Sequence, residues 1–134
     1  MTVPFQTSVI VDALQRAGVL HSVRGELPDV LTSITDDSRI VTSGGLFVAV
    51  RGSAWDGHEF LPKAESQQAG AAIVSDPDAT TLPAIVVTDS RRAVAIAAAA
   101  WYGQPARSLH LIGVTGTNGK TTSASMLRHL FSSD

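Results

Sequence analysis

Leu46-Phe47-Val48-Ala49-Val50 is an unbroken apolar run set between Gly44-Gly45 and Arg51-Gly52-Ser53. A strand with one wet face would alternate polar and apolar residues. A continuous run bounded by turn residues instead suits a strand covered on both sides, as in an α/β sheet. Ala71-Ala72-Ile73-Val74 and Ala84-Ile85-Val86-Val87 repeat the pattern, and Leu109 to Val114 predicts a further apolar strand. Val30-Leu31-Thr32-Ser33-Ile34 is rich in β-branched residues and reads as one more, followed by the polar turn Thr35-Asp36-Asp37-Ser38-Arg39.

Helical segments separate these runs. Val9, Ile10, Ala13, Leu14 and Ala17 recur at helical spacing, with Thr7 or Ser8 as N-cap and Gly18 as the stop. From Gly57, the spacing of Phe60, Leu61 and Ala64, with Pro62 in the first turn, predicts a second helix that closes at Gln68-Ala69-Gly70. Pro77 to Pro83 reads as a loop. Asp89 or Ser90 caps a third helix, whose Val94, Ala97, Ala98 and Trp101 share a face. Gly103 and Pro105 end it. Met126, Leu127, Leu130 and Phe131 mark the expected buried side of a last helix. Strands alternating with helices predict an α/β fold with a mixed or largely parallel sheet.

At 134 residues the chain is long enough for one domain with a core, but not for two full-sized ones. The expected division is a domain over 1–105, a linker at Gly103 to Ser108, and the start of a second unit over 108–134. A lone strand, loop and helix cannot bury both apolar faces. That stretch is therefore expected either to pack back on the first domain or to begin a longer protein. A hydrophobic fraction of 44% with 16% charged residues excludes disorder by composition, and a formal charge of -2 excludes polyanion binding by bulk field. Ala93 to Tyr102, the longest apolar stretch, is about half of the roughly 20 residues a bilayer crossing needs. No nucleic-acid or membrane partner is expected. The first residues lack a secretory pattern and there is no cysteine, which fits a cytoplasmic protein. His21, His58, His110 and His129 show no metal-ligand spacing, so no zinc site is expected.

The chemistry is concentrated in Gly113-Val114-Thr115-Gly116-Thr117-Asn118-Gly119-Lys120-Thr121-Thr122, between an apolar run and a helical pattern. Glycines let successive backbone N–H groups curl toward phosphate oxygens, and a helix N-terminus adds partial positive charge. Lys120 is the candidate catalytic cation, reaching the β and γ phosphates of ATP, and the Thr121 hydroxyl is a candidate magnesium ligand. Gly116, Thr117, Asn118, Gly119 and Thr122 complete the candidate ATP loop. The usual phosphate-loop spacing has a glycine where this chain has Val114, flanked by Gly113 and Gly116.

Thr115 to Thr122 resembles the ATP loop of the Mur ligases, ATP-dependent amide-forming enzymes of peptidoglycan precursor synthesis. The resemblance extends upstream through Asp37-Ser38-Arg39-Ile40-Val41, Gly45 to Gly52, Asp56-Gly57-His58 and Ala69-Gly70-Ala71, and is strongest to the N-terminal domain of the MurE type. It implies a small UDP-substrate domain joined to the first strand, phosphate loop and helix of an ATPase domain. Carried over position by position, it implies that Asp36 and Ser38 contact the nucleotide of UDP-N-acetylmuramoyl-dipeptide, and that Ser53, Ala54 and Trp55 line the uracil and diphosphate side. It further implies ATP and magnesium as cofactors and a diamino acid as acceptor, meso-diaminopimelate or lysine. The chain alone is expected to be inactive and at most to bind the UDP substrate.

Other readings of the same residues stay open at the level of sequence. The parent is a MurF-type ligase, or the domain is non-catalytic with a vestigial phosphate loop used for binding or for self-association through the last helix. Asp37 and Arg39 form a simple surface ion pair. Trp55 is a loop aromatic packed on the domain surface. Arg91-Arg92 is a solvated helix start, and the alanine-rich stretch from Ala93 is a small-residue face packed closely on a sheet.

Overall fold

The computed structural model describes residues 5–110 and 112–132. The chain forms two units, Met1–Gln104 and Pro105–Asp134.

In the first unit the elements run β1 (Phe5–Gln6), α1 (Thr7–Arg16), β2 (Leu20–Arg24), β3 (Val30–Leu31), β4 (Ile34–Thr35) and β5 (Leu46–Val48). A 3₁₀ turn (Gly57–Phe60), α2 (Leu61–Ser66), β6 (Ala71–Val74), a second 3₁₀ turn (Pro77–Ala79), β7 (Ala84–Val87) and α3 (Ser90–Trp101) follow. The main sheet has the order β2-β7-β6-β5-β4. β4, β5, β6 and β7 are mutually parallel, and β2 lies antiparallel on the β7 edge. β1 and β3 form a separate antiparallel pair, with Phe5 opposite Leu31.

The continuous apolar runs are explained by two cores, one on each face. Leu46, Val48, Ala71, Ile73, Ile85 and Val87 point to one side, where Ile10 and Leu14 of α1 and Ala93 and Ala97 of α3 meet them. Phe47, Ala72, Val74, Ala84 and Val86 point to the other, against Leu61 and Ala64 of α2. Period-two alternation thus persists along each strand, but both faces are dry, so no polar residue interrupts it. Alanines at 93, 97 and 100 form the buried stripe of α3, as expected for a helix laid closely on a sheet.

Several local expectations are corrected. Neither Thr7 nor Ser8 caps α1. Gln6 holds the N-cap position, while Thr7 is the first helical residue and its hydroxyl donates to the Pro28 carbonyl. At the other end, Gly18 N–H donates to Gln15 O at 3.0 Å and Val19 N–H to Leu14 O at 3.0 Å, the paired bonds of a Schellman ending. The stretch 30–34 is not one strand. Thr32 N–H and Oγ1 donate to Gly44 O and Ser43 O, which draws the chain out of one sheet and into another between β3 and β4. β2 was not expected. Its His21, Ser22 and Val23 are exposed on an edge strand, so it carries little apolar signal. The second helix is a 3₁₀ turn followed by a short α-helix, and Phe60 stays 40% exposed while Leu61 and Ala64 are buried. Asp89 caps α3, accepting from the N–H groups of Arg91 and Arg92.

In the second unit a 3₁₀ turn (Pro105–Ser108) precedes an irregular segment and α4 (Lys120–Phe131). The strand expected over 109–114 is not formed at its described residues, and Leu111 lies outside them. A strand needs a neighbour to take its N–H and C=O groups, and the described residues of this unit hold no second strand. The expected buried side of the last helix is also corrected. Met126 is 63%, Leu130 67% and Phe131 73% exposed, and Leu127 is half-buried. Helical spacing identified the stripe, but spacing does not supply a surface to cover it.

Candidate functional site

In open α/β sheets, loops gather beyond the carboxyl ends of parallel strands and form the crevice where ligands bind. Here β4 ends into Asp36-Asp37-Ser38-Arg39, β5 into the 49–58 segment, β6 into Ser75, and β7 into Asp89 and Ser90. Parallel pairing therefore carries both sequence-predicted substrate segments of the first unit to one edge of the sheet.

Asp37 organises the first of these segments. Its own N–H donates to Thr35 Oγ1 at 3.0 Å, and its Oδ1 accepts from the N–H of Arg39 at 2.9 Å. The Arg39 guanidinium closes on the same carboxylate, with Nη2 to Oδ2 at 2.6 Å and Nε to Oδ1 at 2.9 Å. These donors hold the Asp37 carboxyl down at about 2, below its ordinary 3.8, the Arg39 guanidinium contributing first and the Arg39 N–H second. The ion-pair reading of this turn is thus correct as geometry. Asp36 is left exposed and Ser38 is buried to 8% exposure beside it.

Asp36, Asp37, Ser38 and Arg39 line an open cleft of about 500 Å³ together with Phe60 and Lys63. Sequence reasoning missed the last two as site residues. The helical spacing puts Phe60 on one side with Leu61 and Ala64; its position in the 3₁₀ turn ahead of α2 brings it to the cleft instead. Lys63 carried no motif. A cation directly after the helix-opening Pro62 is the signal it offered, too common to single it out.

Ser53, Ala54 and Trp55 do not line this cleft. They form the exposed tip of a tight loop at the same sheet edge, with Gly52 N–H donating to Trp55 O at 2.9 Å and Arg51 bridged to Asp56. Trp55 is 73% exposed and is not packed into the domain surface. Gly52 and Gly57 are required by space: a Cβ on Gly57 would stand 2.6 Å from Val50 N, and one on Gly52 2.8 Å from Trp55 O.

The base of the loop is heavily bonded. Asp56 Oδ1 accepts from His58 N–H at 3.0 Å and from His58 Nδ1 at 2.6 Å, while Oδ2 accepts from Arg51 Nε at 3.0 Å. The His58 backbone donor first, then its ring, then Arg51 bring the Asp56 carboxyl down to about 2. Arg51 N–H donates to Ser90 Oγ at 3.0 Å, and Arg91 Nε donates to Arg51 O at 3.0 Å. Arg91 therefore does more than solvate a helix start.

In the second unit, Gly116 (φ +144°) and Gly119 (φ +77°) turn the 116–119 loop into the first turn of α4, with Gly119 as N-cap. A Cβ on Gly119 would meet nothing within 4 Å, so glycine is needed there for backbone conformation and not for room. Lys120 opens the helix and its ammonium curls back to donate to the Gly116 carbonyl. Thr121 and Thr122 follow in the first turn, both exposed. The arrangement fits a phosphate group: left-handed glycines, a 12-residue helix directly behind them, and a cation over the loop.

The family model described as Mur ligase family, catalytic domain, matches residues 30–111, a stretch that stops before the phosphate loop. Over 107 residues the chain is 49% identical to the UDP-N-acetylmuramoyl-L-alanyl-D-glutamate--2,6-diaminopimelate ligase of Geobacillus thermodenitrificans, covering 80% of this chain and 22% of that protein. A protein of the same name from Chlorobium phaeobacteroides is 42% identical over 124 residues, covering 88% and 24%. The chain thus spans about a quarter or less of these relatives' length. Among solved structures, MurF from Acinetobacter baumannii superposes with a TM-score of 0.69 at 29% identity, covering 98% of this chain and 28% of that one. With 30–111 matched by the family model and relatives at these identities, the chain belongs to the Mur ligase family.

Proposed function

We propose that the chain supplies the UDP-substrate domain and the ATP loop of a MurE-type ligase, which adds a diamino acid to UDP-N-acetylmuramoyl-L-alanyl-D-glutamate. The observation that carries this reading is the 49% identity to a relative whose name states that substrate and 2,6-diaminopimelate. The MurF resemblance is at 29% identity and supports the shared fold, so the MurE-type reading is preferred over the MurF-type one. Such chemistry, drawing on ATP and a nucleotide-linked precursor, belongs in the cytoplasm.

In this reading the cleft beside β4 takes the nucleotide. The exposed Asp36 carboxylate accepts from ribose hydroxyls or the uracil imide, and the Ser38 hydroxyl donates to an oxygen of the diphosphate. Lys63 adds a cation at the cleft wall and Phe60 an apolar ring face. Ser53, Ala54 and Trp55 approach from the neighbouring loop, with main-chain N–H groups and an indole. A phosphate chain gripped this way needs no metal.

The residues of the second unit are suited to ATP and magnesium. ATP bound there supplies the phosphoryl group that activates the substrate carboxylate. Gly116 to Gly119 offer backbone N–H groups, Lys120 Nζ moves from the Gly116 carbonyl to offset phosphate charge, and Thr121 Oγ1 is a magnesium ligand, with Thr122 beside it.

Titration calorimetry of the chain with UDP-N-acetylmuramoyl-L-alanyl-D-glutamate tests the reading. One saturable site is expected, weakened about fivefold in Ser38→Ala, the worth of one hydrogen bond. No saturable heat overturns the substrate assignment. In a full-length ligase carrying this sequence, Lys120→Ala should abolish turnover while sparing affinity for the UDP substrate; surviving turnover overturns the loop assignment.

A further inference from the structure

Ser75, His58 and Asp56 stand in a line: Ser75 Oγ is 3.2 Å from His58 Nε2, and His58 Nδ1 is 2.6 Å from Asp56 Oδ1. The order resembles a nucleophile, base and orienting carboxylate. One further bond excludes that role. The backbone N–H of Ser75 donates to the same Nε2 at 3.0 Å, so the single lone pair of that nitrogen is already taken by a donor that cannot leave. The ring carries its proton on Nδ1, facing Asp56, and accepts at Nε2 from the chain end of β6. It is a clamp between two segments.

The side chain of His58 is only 9% exposed, whereas the tip it supports is open to solvent. Three attachments converge below that tip. His58 ties the outgoing strand of the loop to β6 through Ser75. Ser90 and Arg91 tie the incoming residue, Arg51, to the start of α3. Asp56 joins the two sides, accepting from both Arg51 and His58. Within the tip itself, Gly52 N–H donates to Trp55 O. The position of Ser53, Ala54 and Trp55 over the sheet edge is therefore set from beneath, with the His58 ring reaching the end of β6.

We infer that His58 is a positioning residue for the UDP substrate: by linking Asp56 to the end of β6 it holds the 52–55 tip in its binding geometry without touching the ligand. This rests on the assignment of the tip to substrate binding made above. A tip ordered in advance does not lose its freedom on binding, so releasing the clamp costs affinity even where the fold survives.

The test uses the 134-residue chain and UDP-N-acetylmuramoyl-L-alanyl-D-glutamate as probe, at a temperature where circular dichroism shows every variant folded. His58→Ala is expected to bind about tenfold more weakly than the unaltered chain. His58→Gln, whose side-chain carbonyl can accept from Ser75 N–H, is expected to recover part of the loss. Equal binding by all three overturns the proposal while leaving the substrate assignment intact. Failure of the unaltered chain to bind removes the substrate assignment and the proposal with it. Should His58→Ala not fold, long-range proton–nitrogen NMR of the unaltered chain decides: a proton on Nδ1 supports the clamp, and a proton on Nε2 overturns it.

Discussion

Both candidate loops follow apolar runs and both contain glycines, yet the two hold their shape by different means. The 51–57 loop sits on a base of side-chain and main-chain bonds, and its glycines are there because Val50 and Trp55 leave no room for a Cβ. The 116–119 loop has open space around Gly119, and the backbone's left-handed turns define it. One is fixed by its surroundings and the other by its own dihedral angles. The first can be stiff before a ligand arrives. The second depends on a helix whose apolar side chains stay largely exposed, so less of its order is provided by packing.

The largest expected contrast is in packing itself. Phe47→Ala removes a fully buried ring from the α2-side core and should cost about 3–5 kcal/mol in urea unfolding. Met126→Ala on α4 should stay within about 0.5 kcal/mol. A large loss at Met126 would break the comparison, because it would mean that α4 is covered in solution.

A finer contrast pits glycine against glycine. Gly57→Ala forces backbone to move at Val50 and should cost about 2–3 kcal/mol of global stability. Gly119→Ala meets no atom and pays only for a left-handed residue, about 1–2 kcal/mol, confined to the start of α4. Hydrogen exchange should register the first throughout the main sheet and the second only in α4.

Much of the first unit could be read from residues alone, for a definite reason. Strands such as Ala71–Val74 are dry on both faces, so hydrophobicity by itself marks them, and Asp89 caps α3 through purely local bonds. β2 escaped because an edge strand with exposed His21 and Ser22 has little apolar signal to give. The phosphate loop was legible because its chemistry is contiguous in sequence. The clamp was not: Asp56-Gly57-His58 stood out as a motif, but its meaning lies in Ser75, which only the β5–β6 pairing brings within reach. Phe60 and Lys63 were hidden in the same way, since the cleft they line exists only once α2 has packed beside the β4 turn.

The smallest expected effect is on acid tolerance, and it should be confined to the first unit. Asp37 and Asp56 both sit at about 2 in the folded chain against an ordinary 3.8, and Glu65 is lowered by the Thr80 hydroxyl and the Thr81 N–H. Folded values below the unfolded ones mean stability that is fully present above about pH 4 and is lost as pH falls toward about 2. A melting curve followed at the sheet should therefore shift down over that window. Asp56→Asn should flatten the shift, while the helicity of α4, which bears no carboxylate, should not take part in it.

The architecture of the 51–57 loop also offers a way to watch the molecule. Its tip is open to water, its support lies underneath, and the chain has no cysteine. A single thiol introduced at Ala54 would then be the one reactive sulfur in the protein, carried where a dye faces solvent and no buried side chain is displaced. An environment-sensitive fluorophore there turns the sheet edge into an optical reporter, with the rigid base as its reference frame.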